Sequence, residues 1–120
     1  MIDEQMPEAK KMLKIKSSPF GKYFRSLEDI DREWKGTTEF GSILILSLVE
    51  ELGEMARAYL AEHGRKPHNI AAQRDETYEQ ELGDILVSIL RFARIKNIDL
   101  NKRIMYSITK IKRRKSQPKL

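Results

Sequence analysis

Between Glu81 and Lys96 the chain leaves almost no polar side on any helix it can form. At a helical turn of 100° per residue, Leu82, Ile85, Leu86, Val87, Ile89, Leu90, Phe92 and Ala93 cover most of the circumference. Glu81, Asp84, Ser88 and Arg91 are confined to one narrow strip. A helix this apolar has to be covered on nearly every side, by neighbouring helices or by a second subunit. The segment therefore belongs inside a bundle, and the two acids on its only polar strip need a reason to be there.

The rest of the chain reads as partners for that helix. Phe20, Tyr23, Phe24, Leu27, Ile30 and Trp34 recur at helical spacing, and Gly36-Thr37-Thr38 ends that run and offers an N-cap to the next. A second helix is expected from Glu39 to His63, with Gly64 as its stop and Pro67 beyond. On it Leu44, Ile45, Leu48, Val49, Leu52, Met55, Ala56, Tyr59 and Leu60 fill one broad arc, with Tyr59 read as core. Ser47, Glu50, Glu51, Glu54 and Arg57 share the opposite face. Residues 65–75 are polar and read as a loop. Thr77 and Gln80 form a capping box that starts the third helix, and Asp99 caps a fourth that reaches about Lys115. No segment alternates like a strand between hairpin turns. The expectation is an all-α, antiparallel helical bundle completed by dimerisation. Its parts are a loosely ordered arm over residues 1–19 with a short helical stretch, one domain over 20–115, and a flexible tail over 116–120.

Composition narrows the chemistry. There is no cysteine, which excludes disulfides and thiolate metal sites, and the two histidines, His63 and His68, fall at the loop and read as surface residues. With 40% hydrophobic and 34% charged residues the chain is neither disordered nor membrane-embedded. Its longest apolar run, Ile43 to Val49, is broken by Ser47 and too short to span a bilayer, so a cytoplasmic protein is expected. The net charge of +5 is unevenly placed. Residues 100–120 hold Lys102, Arg103, Lys110, Lys112, Arg113, Arg114, Lys115 and Lys119 and no acid, so an acidic body ends in a basic helix. That arrangement suits a polyanionic partner.

Two acidic pairs carry the chemistry: Glu51 with Glu54, and Glu81 with Asp84. Each is spaced i, i+3, so both carboxylates of a pair project from one side of their helix. Glu50 adds a third acid to the first helix. If the two helices pack antiparallel, the pairs face each other. Four oxygen donors converging there make a site for a hard cation, Mg²⁺ or Mn²⁺. Solvated acids on a polar face, or acids favoured by a helix N-terminus, are the alternative reading. The apolar surroundings of Glu81 and Asp84 weigh against it.

Glu50-Glu51-Leu52-Gly53-Glu54 followed by Glu81-Leu82-Gly83-Asp84 resembles the EExxE…ExxD signature of the MazG-like all-alpha nucleoside triphosphate pyrophosphohydrolases. Leu48-Val49 before the first block, Ile85-Leu86 after the second, and Asn97-Ile98-Asp99-Leu100 at the last helix extend the likeness over about residues 37–115, and residues 1–36 match weakly. The resemblance implies Mg²⁺-dependent cleavage of a nucleoside triphosphate between its α and β phosphates, giving the monophosphate and pyrophosphate. It implies that Glu51, Glu54, Glu81 and Asp84 hold the metal, that Glu50 orients or deprotonates the attacking water, and that Lys110, Arg113 and Arg114 contact phosphate. Where many members read Lys-x-x-Lys-Asn, this chain has Ser107, Lys110 and Ile111, and Arg91 or Lys112 would have to take up the missing grip. A homodimer or homotetramer is expected.

Trp34 is a candidate to stack on a nucleobase, against the commoner role of a core anchor. Two other functions compete with the enzyme. A nucleic-acid-binding protein would use the basic C-terminal helix but leave the acid pairs unexplained. A non-catalytic helical oligomer that binds a partner would leave Glu54→Gln and Asp84→Asn neutral or stabilising, with no Mg²⁺-linked gain in melting temperature.

Overall fold

In the computed structural model, residues 7–34, 38–63 and 77–117 are described, with Trp34 and Thr38 described by their backbone alone. All their regular structure is helical. The order is α1 (Glu8–Lys16), α2 (Gly21–Ile30), a 3₁₀ turn (Arg32–Trp34), α3 (Thr38–Glu62), α4 (Tyr78–Ile95) and α5 (Leu100–Ser116). No helix among the described residues is long and apolar enough to cross a membrane. The polar stretch expected as a loop over 65–75, His68 included, lies outside the described residues.

The helix ends follow their local chemistry. Thr77 and Gln80 close the expected capping box, the Gln80 amide donating to Thr77 Oγ1 at 3.2 Å and the Thr77 amide to Gln80 Oε1 at 2.9 Å. Asp99 Oδ1 accepts the Lys102 amide at 3.1 Å and so starts α5. Between them α4 ends at Ile95, and Asn97 just beyond it, with φ of 54°, takes the left-handed conformation that ends helices. The Ile98 amide then reaches back to the Ala93 carbonyl at 2.9 Å.

The helix expected over 20–34 is interrupted. Asp31 leaves the α-helical path, and the chain continues as a 3₁₀ turn. The described part of the N-terminal arm begins at Pro7. Its helix α1 places Ile15 in the core with Phe24, Leu27, Leu90 and Ala93. The tight Ser17–Phe20 turn brings α2 so close that a side chain at Gly21 would overlap the Lys16 carbonyl oxygen.

The main packing is α3 against α4. The partners pair in opposite order along the two helices, so the helices run antiparallel. Glu62 Oε2 accepts the Tyr78 amide at 3.0 Å, Glu51 Oε2 accepts from Ser88 Oγ at 3.1 Å, and Gly41 sits by Phe92 and Lys96.

The covered face of α3 overlaps its apolar arc only in part, at Leu44, Leu48 and Met55. Phe40, Leu44, Ala58 and Ala61 are buried, with Ser47, Glu51 and Glu54 half-buried among them. On the other side Ile45, Val49, Leu52 and Tyr59 are exposed. Tyr59, expected in the core, stacks on His63 with ring centroids 4.0 Å apart and meets Tyr78 edge-on at 5.2 Å. On α4 the buried side likewise includes Glu81 and Ser88, while Leu82, Leu86 and Val87 are exposed. Helix α5 buries none of its residues, and only Leu100 and the preceding Ile98 pack on the core. The radius of gyration, 17.9 Å, exceeds the roughly 14 Å of a compact domain of this length.

Candidate metal and phosphate site

Antiparallel packing of α3 and α4 brings the two acidic pairs together. Glu81 lies at the centre, only 6% exposed, with Glu51 and Glu54 half-buried across from it. Burial pushes the Glu81 carboxyl above its ordinary value. The nearby charges of Glu54 and Asp84, a side-chain hydrogen bond to Glu54 and the charge of Glu51 add to the rise. Like charges this close repel by about 1 kcal/mol per pair at 4 Å in water and several-fold more where water is excluded. One Glu81 oxygen, Oε2, is buried without a hydrogen-bond partner.

Those features fit a cation. A buried carboxylate oxygen with no donor, surrounded by other carboxylates, is stabilised by a positive charge or by a proton. The donor set is oxygen only, which selects a hard divalent ion. As they stand, the side chains rest on one another. Glu51 takes the Ser88 hydroxyl, and the Glu81 carboxyl lies within the influence of Glu54. Among the described residues no three acidic or histidine side chains form a closed ligand set. Asp84, whose charge acts on Glu81, is exposed on α4, and Glu50 is exposed on α3.

Arg91, expected to contact phosphate, is committed elsewhere. Its Nε and Nη2 donate to Asp31 Oδ2 and Oδ1 at 2.9 and 2.6 Å. Its guanidinium also lies 5.3 Å from the centre of the Phe40 ring. The hydrogen bonds it donates to Asp31 outweigh the cost of burial and, with the charges of Asp31 and Glu51, hold the guanidinium more firmly protonated than usual. Arg91 therefore sits beside the acid cluster but offers a phosphate only what Asp31 leaves unused. Asp31 itself is 1% exposed.

Lys110, Arg113 and Arg114 lie on α5, away from the packed helices. Lys110 is half-buried, with its ammonium 5.8 Å from the Tyr106 ring centre, and Arg113 and Arg114 are exposed. Among the described residues no ion pair joins them to an acid of α3 or α4. Ser107 and Ile111, the positions that depart from the common pattern, are exposed on the same helix. The Trp34 side chain lies outside what is described.

Sequence reasoning missed two residues at this site. Ser88 was visible on the polar strip with Glu81 and Asp84 but carried no assigned role. Asp31 gave no signal, because its partner is sixty residues away. A buried acid at the end of an amphipathic helix becomes meaningful only once Arg91 is placed against it.

A family model described as the MazG nucleotide pyrophosphohydrolase domain matches residues 41–118, which include α4, α5 and nearly all of α3. No curated protein and no solved structure matches the chain.

Proposed function

Because the chain belongs to the MazG nucleotide pyrophosphohydrolase family, we propose that it hydrolyses nucleoside triphosphates, ribo or deoxy, between the α and β phosphates. The products are the nucleoside monophosphate and pyrophosphate, and a divalent cation is required, Mg²⁺ with Mn²⁺ as the alternative. The observation that carries this reading is Glu81, a buried carboxyl with an unpartnered oxygen, pressed by three other carboxylates from two helices.

In this reading Glu51, Glu54, Glu81 and Asp84 hold the ion. Once bound, the ion would neutralise phosphate charge and lower the pKa of a coordinated water. Ser88 orients Glu51 through its hydroxyl. Arg91 and Asp31 lock α4 against the end of α2, which fixes the strip on which Glu81, Asp84 and Ser88 stand. Glu50, exposed on α3, orients or deprotonates the attacking water. Lys110, Arg113 and Arg114 supply positive charge to the triphosphate.

The functional unit is a homodimer, or a homotetramer built from dimers. Ile45, Val49 and Leu52 on α3, Leu82, Leu86 and Val87 on α4, and Ile104, Ile108 and Ile111 on α5 are exposed apolar residues in number beyond what monomers carry. A second copy covers them and meets the requirement that α4 be enclosed. A cytoplasmic location follows from a nucleotide substrate.

The test is a panel of nucleoside triphosphates with and without Mg²⁺, read by product identity. Monophosphate and pyrophosphate in equal amounts, only with the metal, support the reading. A folded, metal-loaded protein that leaves every nucleotide intact, or that releases orthophosphate and diphosphate, rejects it.

A further inference from the structure

On the far side of α4 from the acid cluster lies a cavity of about 380 Å³, between α1, α2 and the end of α4. At 100° per residue, Leu90, Ala93 and Arg94 point roughly opposite to Glu81 and Ser88, so the two sites do not share a face. Ile15, Phe24 and Ala93 line the cavity, and all three belong to the buried core. Lys16, Arg25 and Arg94 border it with positive charge, against the single acid Glu28.

Arg94 is the unusual member. Its Nε and Nη2 are buried, and no acceptor among the described residues reaches either of them. Those two nitrogens form one edge of the guanidinium. It is the same edge that Arg91, one turn earlier, lays against both oxygens of Asp31. A guanidinium edge of this kind matches a carboxylate or a phosphate with two parallel hydrogen bonds. Leaving it buried and unmatched costs the desolvation of a charged group. Arg91 is satisfied by an acid of its own chain, and Arg94 has the same geometry with a cavity beside it.

We propose that this cavity binds a small organic anion, a carboxylate or phosphate monoester carried on a compact apolar or aromatic body. The anionic group takes the unmatched edge of Arg94, with Lys16 and Arg25 adding charge at the mouth. The apolar part lies on Phe24, Ile15 and Ala93. The size is at the lower end of small-molecule sites, which suits one or two rings or a short alkyl chain. The site is independent of the metal-binding carboxylates and of the hydrolytic reading.

The experiment is calorimetric titration of the full chain in EDTA, which prevents a phosphate from binding through a divalent cation. Benzoate and phenyl phosphate are the anionic probes, and benzamide is the neutral one. Saturable binding of either anion, with benzamide at least ten-fold weaker, supports the site, and the arm that binds identifies the anionic group. Arg94→Lys keeps the charge but loses the edge and weakens binding at least ten-fold; Arg94→Gln abolishes it. If neither anion binds at millimolar concentration, if benzamide binds as well as benzoate, or if Arg94→Lys binds like the wild type, the proposal is wrong. Should Arg94→Gln fail to fold, the wild-type contrast between benzoate and benzamide still decides.

Discussion

Arg91 and Asp31, sixty residues apart in the chain, meet in a two-point ion pair with N–O distances of 2.6 and 2.9 Å. Asp31 is fully buried, and Arg91 retains 29% of its side-chain exposure. The pair ties the point where α2 breaks into a 3₁₀ turn to the polar strip of α4. It holds that strip facing α3, where Glu51 waits.

Removing one half of this pair leaves the other charge poorly compensated. Asp31→Ala is expected to lower stability by about 3 kcal/mol, since breaking a buried ion pair costs more than the pair contributes net. Urea denaturation measures it. The double substitution Asp31→Ala with Arg91→Met is expected to recover part of the loss, because no charge is then stranded. Equal or additive losses in the two variants would show that the pair is incidental.

The Glu81 carboxyl is raised in the folded state, first by burial and then by the neighbouring acids. A raised acid binds its proton more tightly when folded than when unfolded. Its contribution to stability is therefore full below about pH 4.5, the ordinary value, and is lost as pH climbs through the raised value. In EDTA the wild type should melt at falling temperatures from acid towards neutral pH, and Glu81→Gln should flatten that part of the decline. At neutral pH Mg²⁺ should raise the melting temperature of the wild type and not of Glu81→Gln. Melting curves across pH, with EDTA or Mg²⁺, check both signs.

Gly21 and Gly53 separate packing from propensity. A methyl at Gly21 overlaps the Lys16 carbonyl oxygen, so the turn between α1 and α2 has to open and Ile15 loses its seat. Gly21→Ala is expected to cost about 2 kcal/mol or more. A methyl at Gly53 meets nothing within 4 Å. In the helix interior Gly53→Ala is expected to gain up to about 1 kcal/mol. Chemical denaturation of the two variants side by side gives the contrast.

What the sequence made legible is local. The Thr77–Gln80 box, the Asp99 cap and the bounds of α3 depend on residues within one turn of each other. The acid pairs were also legible, because i, i+3 spacing fixes their side of each helix. The buried face of α3 was not. Of its apolar arc, Ile45, Val49, Leu52 and Tyr59 stand exposed while Leu44 is buried, and the face against α4 runs through Glu51 and Glu54. Periodicity tells which side of a helix avoids water, not which neighbour supplies the cover. The roles of Asp31 and Arg94 were hidden for the same reason, since each is set by what lies opposite in space.

The exposed apolar arc makes its own prediction. Val49 is 68% exposed in the single chain, and a second copy is expected to cover it. Light scattering coupled to gel filtration should find the wild type at twice the chain mass or more, and Val49→Glu at the chain mass. A wild-type monomer would leave the arc without a purpose.

One measurement bears most directly on the acid cluster: titration of the metal-free protein with Mn²⁺, followed by its electron paramagnetic resonance signal. If α3 and α4 build a single cation site, Glu54→Gln on one helix and Glu81→Gln on the other each abolish the same saturable binding. Binding that survives either substitution unchanged, or an absence of binding in the folded wild type, would contradict it.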